Sequence, residues 1–366
     1  MKVALIGAGI VGSSVAYRLS EARAEVTLID EAEPGAGTTS TSFAWVNTNN
    51  KLPRDYFELN VAGMREHERL RDEIGGDWLH CTGNLIWTAD EEQESLERRV
   101  ERLRSWSYAA EMLLASTVNE KLEPGANFPN PVTRIAHFPE ESWTDAPVLT
   151  KTLVEAASRN GTHERFGNAV RKIEVEDAGV MLQLEDGGAV HADVVVNATG
   201  ANAAFVAEMV GRKLPLNVFP GLLVRVALPE ESLRHLMHTP RVNVRPDGPG
   251  YVLLHHASVD ERLTDDFAGA EDPLCTELLE RARLVLPALE EAEIVEARFG
   301  WRPVPADGHS CVGALSGIPG YYEAVTHSGV TLGPLIGRLL AREILTGEVD
   351  PLIAPFRPDR FPRTQT

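Results

Sequence analysis

Apolar residues follow two patterns along this chain, and each pattern predicts a different element. Continuous apolar runs, such as Val3–Ile6, are typical of strands buried on both faces of a parallel sheet. Apolar residues at helical spacing begin at Ile10, so a helix is predicted directly after the first strand. Residues 323–344 show the same order of buried strand, short polar loop and helix. The chain therefore begins and ends with a strand–loop–helix unit.

Three glycines separate the first strand from the first helix. Gly7, Gly9 and Gly12 have G-x-G-x-x-G spacing, which permits a tight turn, close backbone approach to a pyrophosphate and close packing of helix on strand. A second strand ends at Asp30, 18 residues after Gly12, near the distance at which an acidic side chain accepts ribose hydroxyls. The unit predicts dinucleotide binding, and the alternative is a glycine-rich turn that binds nothing.

A polar loop follows at residues 35–50. Its hydroxyl side chains and backbone N–H groups suit it to wrap around a ligand. A solvated linker is the alternative, but Phe43 and Trp45 argue against it because solvent loops rarely contain large aromatic residues. We therefore expect this loop to contribute to a ligand site.

The middle of the chain is predicted to add a helix and several strands. Asp145 and Pro147 are N-terminal signals for a helix over residues 145–160. Alternating strands joined by a turn at 185–188 then lead to a buried strand within 193–200. That strand ends in small residues, which leave room for a ligand at the carboxyl end of a parallel strand.

Two stretches differ from this pattern. Residues 54–120 are rich in Glu and Arg at helical spacing, and we interpret their charges as the solvated faces of one or two helices without assigned chemistry. Residues 213–298 combine antiparallel strand patterns with a helix over 273–289. The second stretch is the candidate substrate domain, inserted within the nucleotide-binding domain.

Composition restricts the class of protein. A chain of 366 residues is long for one simple core and suggests two domains. Its 54 acidic against 35 basic residues give a formal charge of −19, which repels nucleic acid and anionic membrane surfaces and reflects either solubility alone or a cationic partner protein. No apolar run approaches the length of about 18 residues that spans a membrane. The three cysteines lack C-x-x-C spacing, so we predict a cytoplasmic protein with free thiols and without a metal site.

Five separated segments together resemble one family of flavoproteins. They are the glycine turn with Asp30, the polar loop with Ser40, Ser42 and Asn47, and the segments 193–203, 300–308 and 327–344. In this order they resemble the D-amino acid oxidase superfamily, which includes glycine oxidase, sarcosine oxidase and D-amino-acid dehydrogenases. The resemblance covers both ends and the middle of the chain, and the candidate substrate domain contributes almost nothing to it.

The resemblance implies an α/β fold, with a Rossmann-like FAD-binding domain and an inserted α+β substrate domain built on an antiparallel sheet. The expected FAD-binding domain covers residues 1–82, 140–212 and 299–366, and the expected substrate domain covers 83–139 and 213–298. Family members place the adenosine of FAD on the first βαβ unit and the isoalloxazine ring between the domains. Some relatives attach FAD through a cysteine just before the fourth segment, near the place of Gly300 here, so non-covalent FAD is expected.

The activity implied by the resemblance is oxidation of the C–N bond of a small amine, usually an amino acid or N-substituted glycine. Hydride passes from the α-carbon to flavin N5, the imine hydrolyses, and oxygen or another acceptor takes the electrons. Such chemistry needs no strong general base because the flavin is the electron sink. An FAD-dependent 2-hydroxy acid dehydrogenase, a nicotinamide-only dehydrogenase and a catalytically inactive nucleotide-binding scaffold are the alternatives.

The resemblance also implies the catalytic and cofactor residues. Arg302 matches the position at which glycine oxidase and D-amino acid oxidase carry the arginine that binds the substrate carboxylate, and the alternative is a structural pair with Asp307. His327 is a candidate catalytic residue and flavin contact. The candidate cofactor-binding residues are Gly7, Gly9, Ile10, Val11, Gly12, Asp30, Glu31, Thr39, Ser40, Thr41, Ser42, Trp45, Asn47, Val170, Ala198, Thr199, Gly200, Arg302, Ser328, Gly329, Val330 and Thr331.

Four further residues are candidates for substrate binding beside Arg302. Tyr251, His255 and His256 lie on a predicted strand, where alternation sends the two histidines to opposite faces. Trp301 either walls the pocket or fills the core.

The second helix start is assigned to the flavin ring. Backbone N–H groups around Gly329, Val330 and Thr331, with the positive end of the helix, would face the N1 and C2 carbonyl edge, where negative charge gathers on reduction. Pro334 is expected in the first turn, where its missing N–H is harmless. Packing alone is the alternative role for this helix.

Overall fold

The computed structural model describes residues 1–128, 132–176, 179–228, 233–264 and 266–361. The α-helices in these ranges are α1 (Ile10–Glu21), α2 (Arg54–Ile74), α3 (Gln93–Ser105), α4 (Ala115–Lys121), α5 (Ala146–Arg159), α6 (Ala203–Glu208), α7 (Ala257–Asp260), α8 (Pro273–Val285) and α9 (Gly329–Thr346). The strands are β1 (Lys2–Ile6), β2 (Glu25–Ile29), β3 (Trp45–Val46), β4 (Leu79–His80), β5 (Asn84–Ile86), β6 (Glu111–Leu114), β7 (Arg134–Phe138), β8 (Ser142–Thr144), β9 (His163–Arg165), β10 (Val170–Glu176), β11 (Gly179–Leu184), β12 (Ala189–Ala192), β13 (Val194–Asn197), β14 (Leu216–Ala227), β15 (Leu236–His238), β16 (Asn243–Pro246), β17 (Tyr251–His255), β18 (Ile294–Pro305), β19 (Cys311–Ala314) and β20 (Tyr321–Val325). Within the described ranges, no helix combines the length and apolarity that a membrane crossing requires.

The chain forms two compact units, each assembled from separate stretches of sequence. Unit 1 comprises Met1–Leu79, Thr144–Phe219 and Trp301–Thr366, and unit 2 comprises His80–Trp143 and Pro220–Gly300. Two of the boundaries between the units fall within long strands, one in β14 and one in β18.

Unit 1 is built around a six-stranded sheet. Its strand order is β19-β20-β13-β1-β2-β9, with parallel pairs from β20 to β9 and an antiparallel β19 at one edge. Strands β1 and β13 are buried along almost their whole length, as expected for a parallel sheet covered on both faces. Because β1, β2 and β13 are parallel, the loops that follow them all start at the carboxyl ends of the strands, on the same side of the sheet. This arrangement confirms the predicted α/β class.

Local predictions for the middle of the chain are also confirmed. The Asp145 carboxylate accepts the N–H of Val148 at 3.1 Å and caps α5, with Pro147 near the helix start. Strands β11 and β12 pair antiparallel around the turn at residues 185–188. Both features depend on residues only a few positions apart.

A ridge of glycines lets α9 pack closely against α1. Gly329, Gly333 and Gly337 are four residues apart, so they lie on one side of α9. A Cβ atom at Gly333 would lie 3.2 Å from Cγ1 of Ile10, and one at Gly337 would lie 2.6 Å from the carbonyl carbon of Ser14. Glycine is therefore a steric requirement where the two helix backbones meet.

The same contacts bring the N-terminal ends of α1 and α9 together. The contacting residues run in the same direction along both helices, with Gly333 against Ile10 and Gly337 against Ser14. Each helix N-terminus carries a partial positive charge. Two positive helix ends therefore lie side by side at the carboxyl edge of the parallel sheet.

Pro334 lies inside α9, so the expectation that it falls in the first turn was wrong. The helix begins at Gly329, and Pro334 follows it by five positions. A proline inside a helix leaves the carbonyl four residues before it without its helical N–H donor. The carbonyl concerned is that of Val330, so the missing N–H has a structural consequence.

The two long charged helices of the 54–120 region bury different kinds of residue. Helix α3 agrees with the solvated-face interpretation, since the residues it buries are Leu96, Val100 and Leu103. Helix α2 also buries Glu66 and His67, at 3% and 0% exposure. Charge composition alone therefore did not identify the polar interior contacts of α2.

The buried carboxylate of Glu66 joins three helices of unit 1. It accepts hydrogen bonds from Arg69 on α2 at 2.7 Å, from Arg338 on α9 at 2.9 Å and from Arg18 on α1 at 3.4 Å. Removing one partner from a buried ion pair is costly because the remaining charge stays desolvated. This cluster therefore adds to the fixed arrangement of α1, α2 and α9.

Unit 2 contains an eight-stranded sheet in the order β18-β14-β17-β16-β15-β5-β7-β6. The pairs with resolved register are antiparallel except for β15 with β5, which is parallel. One face packs against α8 in a common apolar core. Members of that core from the sheet and the helix include Val224, Val226, Met237, Val244, Val252, Leu254, Leu278 and Ala282.

The opposite face of the unit 2 sheet is polar. Strand register places His255 opposite Asn243 and Asn243 opposite His238, so the three side chains form a row across β17, β16 and β15. Arg225 and Arg245 both lie opposite Leu253 in the neighbouring row of the same face. Unit 2 is therefore an α+β unit on a largely antiparallel sheet, as predicted, with one apolar and one polar face.

The strand predicted through His256 ends one residue earlier. Strand β17 ends at His255, and His256 is the N-cap of α7, where its Nδ1 accepts the N–H of Ser258 at 3.3 Å. The expectation that the two histidines occupy opposite faces of one strand was therefore wrong. Alternation instead places Tyr251 and His255 on the same, polar face.

Replacing Gly337 with Ala tests the contact between α1 and α9. The new Cβ atom would overlap the Ser14 backbone, so we expect the free energy of unfolding to fall by about 1–3 kcal/mol, although Ala has the higher helix propensity. Urea denaturation measures this loss. Gly37→Ala is the control, because nothing lies within 4 Å of its Cβ position, and equal stabilities of the two variants would contradict the proposed contact.

Candidate active site

The glycine turn after β1 packs tightly against the end of a neighbouring strand. Gly7 has a φ of +104°, which favours glycine, and a Cβ atom there would lie 2.5 Å from the carbonyl oxygen of Ala198. A Cβ atom at Gly12 would overlap the carbonyl oxygen of Gly7. At positions 7 and 12 of the motif, glycine is therefore required for steric reasons.

Asp30 lies directly after β2, beside the glycine turn. Its carboxylate accepts the N–H of Ala8 at 2.6 Å and the N–H of Ala32 at 2.9 Å. A carboxylate has about four acceptor positions, so it can also accept ribose hydroxyls. The neighbouring Glu31 is exposed and accepts a hydrogen bond from Asn202 at 3.1 Å. Both acidic residues are thus placed at the sheet edge where α1 begins.

The polar loop supplies the cap of α1. The N–H of Ile10 donates to Thr39 Oγ1 at 3.1 Å, at a helix whose N-cap residue is a glycine without a side-chain cap. Ser40 and Thr41 donate to carbonyls within the loop, and Ser42 accepts an N–H within it. The loop is therefore ordered by its own hydroxyl groups while Thr39 reaches the helix start.

Small residues follow β13 at the same sheet edge. Thr199 donates to Asn197 Oδ1 at 2.7 Å, and Gly200 has a φ of +56°. Val170, at the start of β10, is 7% exposed and belongs to an apolar core cluster with Ile6. A role of Val170 in cofactor binding would therefore use its backbone rather than its side chain.

The end of the polar loop is anchored to the first turn of α9. Thr331 Oγ1 donates to the Trp45 carbonyl and accepts the N–H of Asn47, both at 3.3 Å. Asn47 Oδ1 and both polar side-chain atoms of Asn49 are buried without a hydrogen-bond partner among the described residues. Such atoms are rare in folded proteins, and a bound ligand is one explanation for them.

Ser328 occupies the N-cap position of α9, and its side chain contacts two residues that follow the polar loop. Its Oγ accepts a hydrogen bond from Lys51 Nζ at 2.9 Å and lies 3.1 Å from the hydroxyl of Tyr56. Its N–H donates to Thr326 Oγ1 at 3.1 Å. A cation and a hydroxyl group are thus held at the positive end of this helix.

His327 lies next to this group and is neutral at physiological pH. Desolvation, together with the positive charges of Lys51 and Arg302, lowers the pKa of His327 to about 4. Lys51 and Arg302 are thus the positive charges that act on His327. This cationic group, Lys51 and Arg302 with neutral His327, would stabilise an anion bound beside the start of α9.

Arg302 and Trp301 lie on β18 within unit 1. Arg302 is half-buried, while Trp301 is 44% exposed and its carbonyl accepts the hydroxyl of Thr38 at 2.6 Å. This exposure excludes the core-filling role considered for Trp301. The Asp307 carboxylate binds Arg360 through both oxygens, at 2.7 and 3.0 Å.

The three candidate substrate-binding residues in unit 2 do not all lie on the same surface. Tyr251 stacks under the guanidinium of Arg225, which lies 3.7 Å from the ring centroid. His255 Nε2 lies 2.9 Å from Asp260 Oδ2, at the end of the polar face. The ring of His256 is engaged in capping α7. Two of the three residues therefore share one sheet face, and the third does not.

The cysteines give no indication of covalent chemistry. Cys311 Sγ is buried and donates to Glu323 Oε2 at 3.1 Å, and burial with the negative charge of Glu323 raises the pKa of this thiol well above its usual value. Cys81 is exposed and Cys275 is buried, and no disulfide joins cysteines in the part of the chain that the structure describes. A protonated, enclosed Cys311 is a poor nucleophile for attachment of a cofactor.

Sequence reasoning missed several polar residues of this region. Lys51 follows the polar loop directly, so extending the loop by one residue would have found it. Tyr56 gave no local signal, because its partner Ser328 is 272 positions away. The same holds for His67, whose partner Val330 is 263 positions away. These contacts depend on the packing of α2 against α9.

The arrangement in unit 1 fits FAD. The glycine turn and Asp30 suit the pyrophosphate and the ribose, and the start of α9 with its cationic group suits the ring edge that gains negative charge. Unpartnered polar atoms of Asn47 and Asn49 lie on the loop between these two places. Among the described residues, no cluster of His, Cys, Asp or Glu side chains is placed to hold a metal ion.

Comparisons with known proteins identify the family to which this chain belongs. The glycine oxidase of Geobacillus kaustophilus is 27% identical over 367 residues, covering 97% of this chain and 95% of that protein, and the oxidoreductase YurR of Bacillus subtilis is 26% identical over 381 residues, covering 97% of both chains. The crystal structure of the Geobacillus kaustophilus glycine oxidase superposes with a TM-score of 0.88 at 24% identity, covering 98% of both chains, and shows the same fold. The family model for DAO, FAD dependent oxidoreductase, matches residues 2–343. This chain therefore belongs to the DAO family of FAD-dependent oxidoreductases.

Proposed function

We propose that this protein oxidises the C–N bond of a small amine that carries a carboxylate, either an amino acid or an N-substituted glycine. The observation that carries the proposal is the positive charge of Lys51, whose Nζ lies 2.9 Å from Ser328 Oγ at the start of α9. Arg302 adds a second positive charge that, with Lys51, helps to keep the adjacent His327 neutral. Fixed positive charge suits a carboxylate, and an uncharged imidazole does not repel an amine. Similarity to proteins named glycine oxidase supports the same class of substrate.

Arg302 would bind the substrate carboxylate. A guanidinium presents two parallel N–H donors to a carboxylate, so it fixes orientation as well as supplying charge. Arg302 lies on the long strand β18, which is a rigid support compared with a loop. Holding the carboxylate in this way would place the α-carbon at a constant position for transfer.

The start of α9 would stabilise the charge that develops. FAD, when bound, would supply the electron sink for oxidation of the substrate C–N bond, and its ring would gain negative charge on reduction. The first N–H groups of α9, at Gly329, Val330 and Thr331, have no helical acceptor and point out of the helix start. Lys51, bound to the cap residue Ser328, adds a full positive charge at the same end.

Proton transfer needs little from the protein under this proposal. The substrate would bind as the free amine, so no side chain has to remove an ammonium proton in the site. His327 is neutral above about pH 4 and would contact the ligand as a polar, uncharged ring. Its role would be positional rather than that of a strong base.

The two units would divide these tasks. Unit 1 would be the FAD-binding domain, and unit 2 would be the substrate domain. The polar face of the unit 2 sheet carries Tyr251 and His255, which are the candidates for contacts with the rest of the substrate. Arg225 and Arg245 on that face both pair with Asp247, at 2.8 and 2.9 Å, so much of their charge is neutralised within the unit.

The purified protein is expected to be yellow and to lose its flavin colour when the right amine is added without oxygen. The screen should include glycine, N-methyl amino acids, both enantiomers of larger amino acids, and 2-hydroxy acids. Bleaching by hydroxy acids alone would favour the alternative C–O oxidation, and flavin that nothing reduces would favour the inactive scaffold. A colourless protein that takes up no FAD would contradict the proposal. Admitting oxygen afterwards separates an oxidase from a dehydrogenase.

Replacing Arg302 with Met should raise KM strongly for a carboxylated amine, because a charged carboxylate loses its partner. The transition-state stabilisation obtained from the ratio of kcat/KM values should fall by about 2–4 kcal/mol. Arg298→Met is the matched control, since Arg298 lies on the same strand and pairs with Glu296 at 3.1 Å. Arg302→Lys should recover part of the loss, because it keeps charge without the two-pronged geometry. Unchanged kinetics in Arg302→Met would remove this residue from the site.

The pH profile of kcat/KM should show no step from His327 between pH 5 and 9. The pKa of His327 is lowered to about 4 in the folded protein, so it is deprotonated throughout that range. The value of kcat/KM should rise with pH only because a larger fraction of the substrate amine is deprotonated. His327→Gln is expected to keep the shape of the profile, measured by steady-state kinetics. Loss of a step near pH 6–7 in the variant would show that His327 titrates there as a base.

A further inference from the structure

A carbonyl in the first turns of α9 lacks its usual donor. In an α-helix, the carbonyl of Val330 would accept the N–H of residue 334, but that residue is Pro334 and has no N–H. Val330 is 8% exposed, so solvent access at this residue is small. A buried carbonyl without a donor is unfavourable, because it has lost its hydrogen bonds to water and gained none in the protein. The structure therefore needs another donor at this position.

His67 supplies that donor from α2. Its Nε2 lies 2.8 Å from the carbonyl oxygen of Val330, and its side chain is fully buried. A carbonyl oxygen only accepts, so Nε2 must carry the proton of the neutral ring. The other ring nitrogen, Nδ1, is buried without a hydrogen-bond partner among the described residues. Burial lowers the pKa of His67 to about 4, so the ring stays neutral with a single N–H donor.

The approach of α2 to this turn depends on a second residue of the same helix face. Gly63 precedes His67 by one helical turn, so both residues face α9. A Cβ atom at Gly63 would lie 2.6 Å from the carbonyl oxygen of Thr331 and 3.0 Å from a methyl carbon of Leu332. Only a residue without a side chain lets α2 come close enough for the imidazole to reach Val330.

We propose that His67 is a positioning residue for the flavin: its Nε2–H replaces the N–H that Pro334 lacks and holds the first turn of α9, so that the N–H groups of Gly329, Val330 and Thr331 stay directed at the bound ring. His67 acts through α9 and does not touch the cofactor. The inference rests on the assignment of α9 to the flavin and not on the identity of the substrate. Its failure is therefore distinguishable from a wrong amine.

A pair of compensating substitutions tests this role. His67→Phe keeps an aromatic ring and removes the donor, whereas Pro334→Ala restores the backbone N–H that can bond to Val330. The double variant His67→Phe/Pro334→Ala should therefore regain what His67→Phe loses. His67→Gln retains an N–H donor and is expected to lose less. His191→Phe on the exposed side of β12 is the control for replacing a histidine with phenylalanine.

The measurements are the FAD dissociation constant, from fluorescence titration of the apoprotein, and the midpoint potential of the bound flavin. We expect His67→Phe to weaken FAD binding about tenfold, equivalent to about 1.4 kcal/mol, and to shift the potential to more negative values. The double variant should return to within about threefold of the original affinity, with the potential restored. The control should leave both quantities unchanged.

Two results would overturn the proposal. One is a double variant that fails to fold or that remains as impaired as His67→Phe, because a restored N–H would then not replace the imidazole. The other is a His67→Phe protein with a lower thermal midpoint but an unchanged dissociation constant and potential, which would leave His67 a packing role alone. Should His67→Phe not fold while the double variant folds and binds FAD normally, the proposal is supported.

Discussion

The contact between α1 and α9 is the constraint on which the rest of the candidate site depends. Without side chains at Gly333 and Gly337, the two helices meet at backbone distance against Ile10 and Ser14. Their N-terminal ends consequently lie at one edge of the parallel sheet, which is where open α/β folds bind ligands. Helix packing thus determines the spacing between the two helix starts that we propose for the pyrophosphate and for the flavin ring. The loops contribute capping and polar groups, such as Thr39 and Thr331, to an arrangement that the helices have already fixed.

This arrangement concentrates positive charge in a protein whose formal charge is −19. Two helix N-termini, Lys51 and Arg302 would repel one another unless anions balance them. Part of the balance is built in, because the Asp30 carboxylate accepts two N–H groups beside α1. His327 remains neutral and so adds no further positive charge. The remainder suits a cofactor with a pyrophosphate at one end and a ring that becomes anionic at the other. Binding of FAD would therefore relieve repulsion that the folded protein otherwise carries.

The features predicted correctly from sequence are those that depend on nearby residues. The glycine turn, the strand directly before Asp30 and the cap of α5 each follow from a few adjacent positions and a single period, although that strand ends at Ile29, one residue before the predicted end. Contacts between distant segments were not predictable in the same way. His67 reaches Val330 across 263 positions, and Pro334 was misplaced because the helix start could not be located to the residue. His256 was misassigned since a strand end one residue earlier changes a sheet position into a helix cap.

The sequence predicts more of the candidate site in unit 1 than in unit 2. This difference also follows from whether the relevant residues are close together in the chain. The groups proposed to face the cofactor in unit 1 are largely backbone N–H groups beside glycines, and this requirement produces a local glycine motif that can be recognised in the sequence. The polar face of unit 2 is formed by side chains from separate strands, such as His255, Asn243 and His238, which only strand register brings into a row. Alternation specifies the face of each residue but not its neighbour on the next strand. Side chains on such a face can be exchanged without disturbing the apolar face that packs on α8. Members of one family can therefore share a cofactor site while differing in substrate.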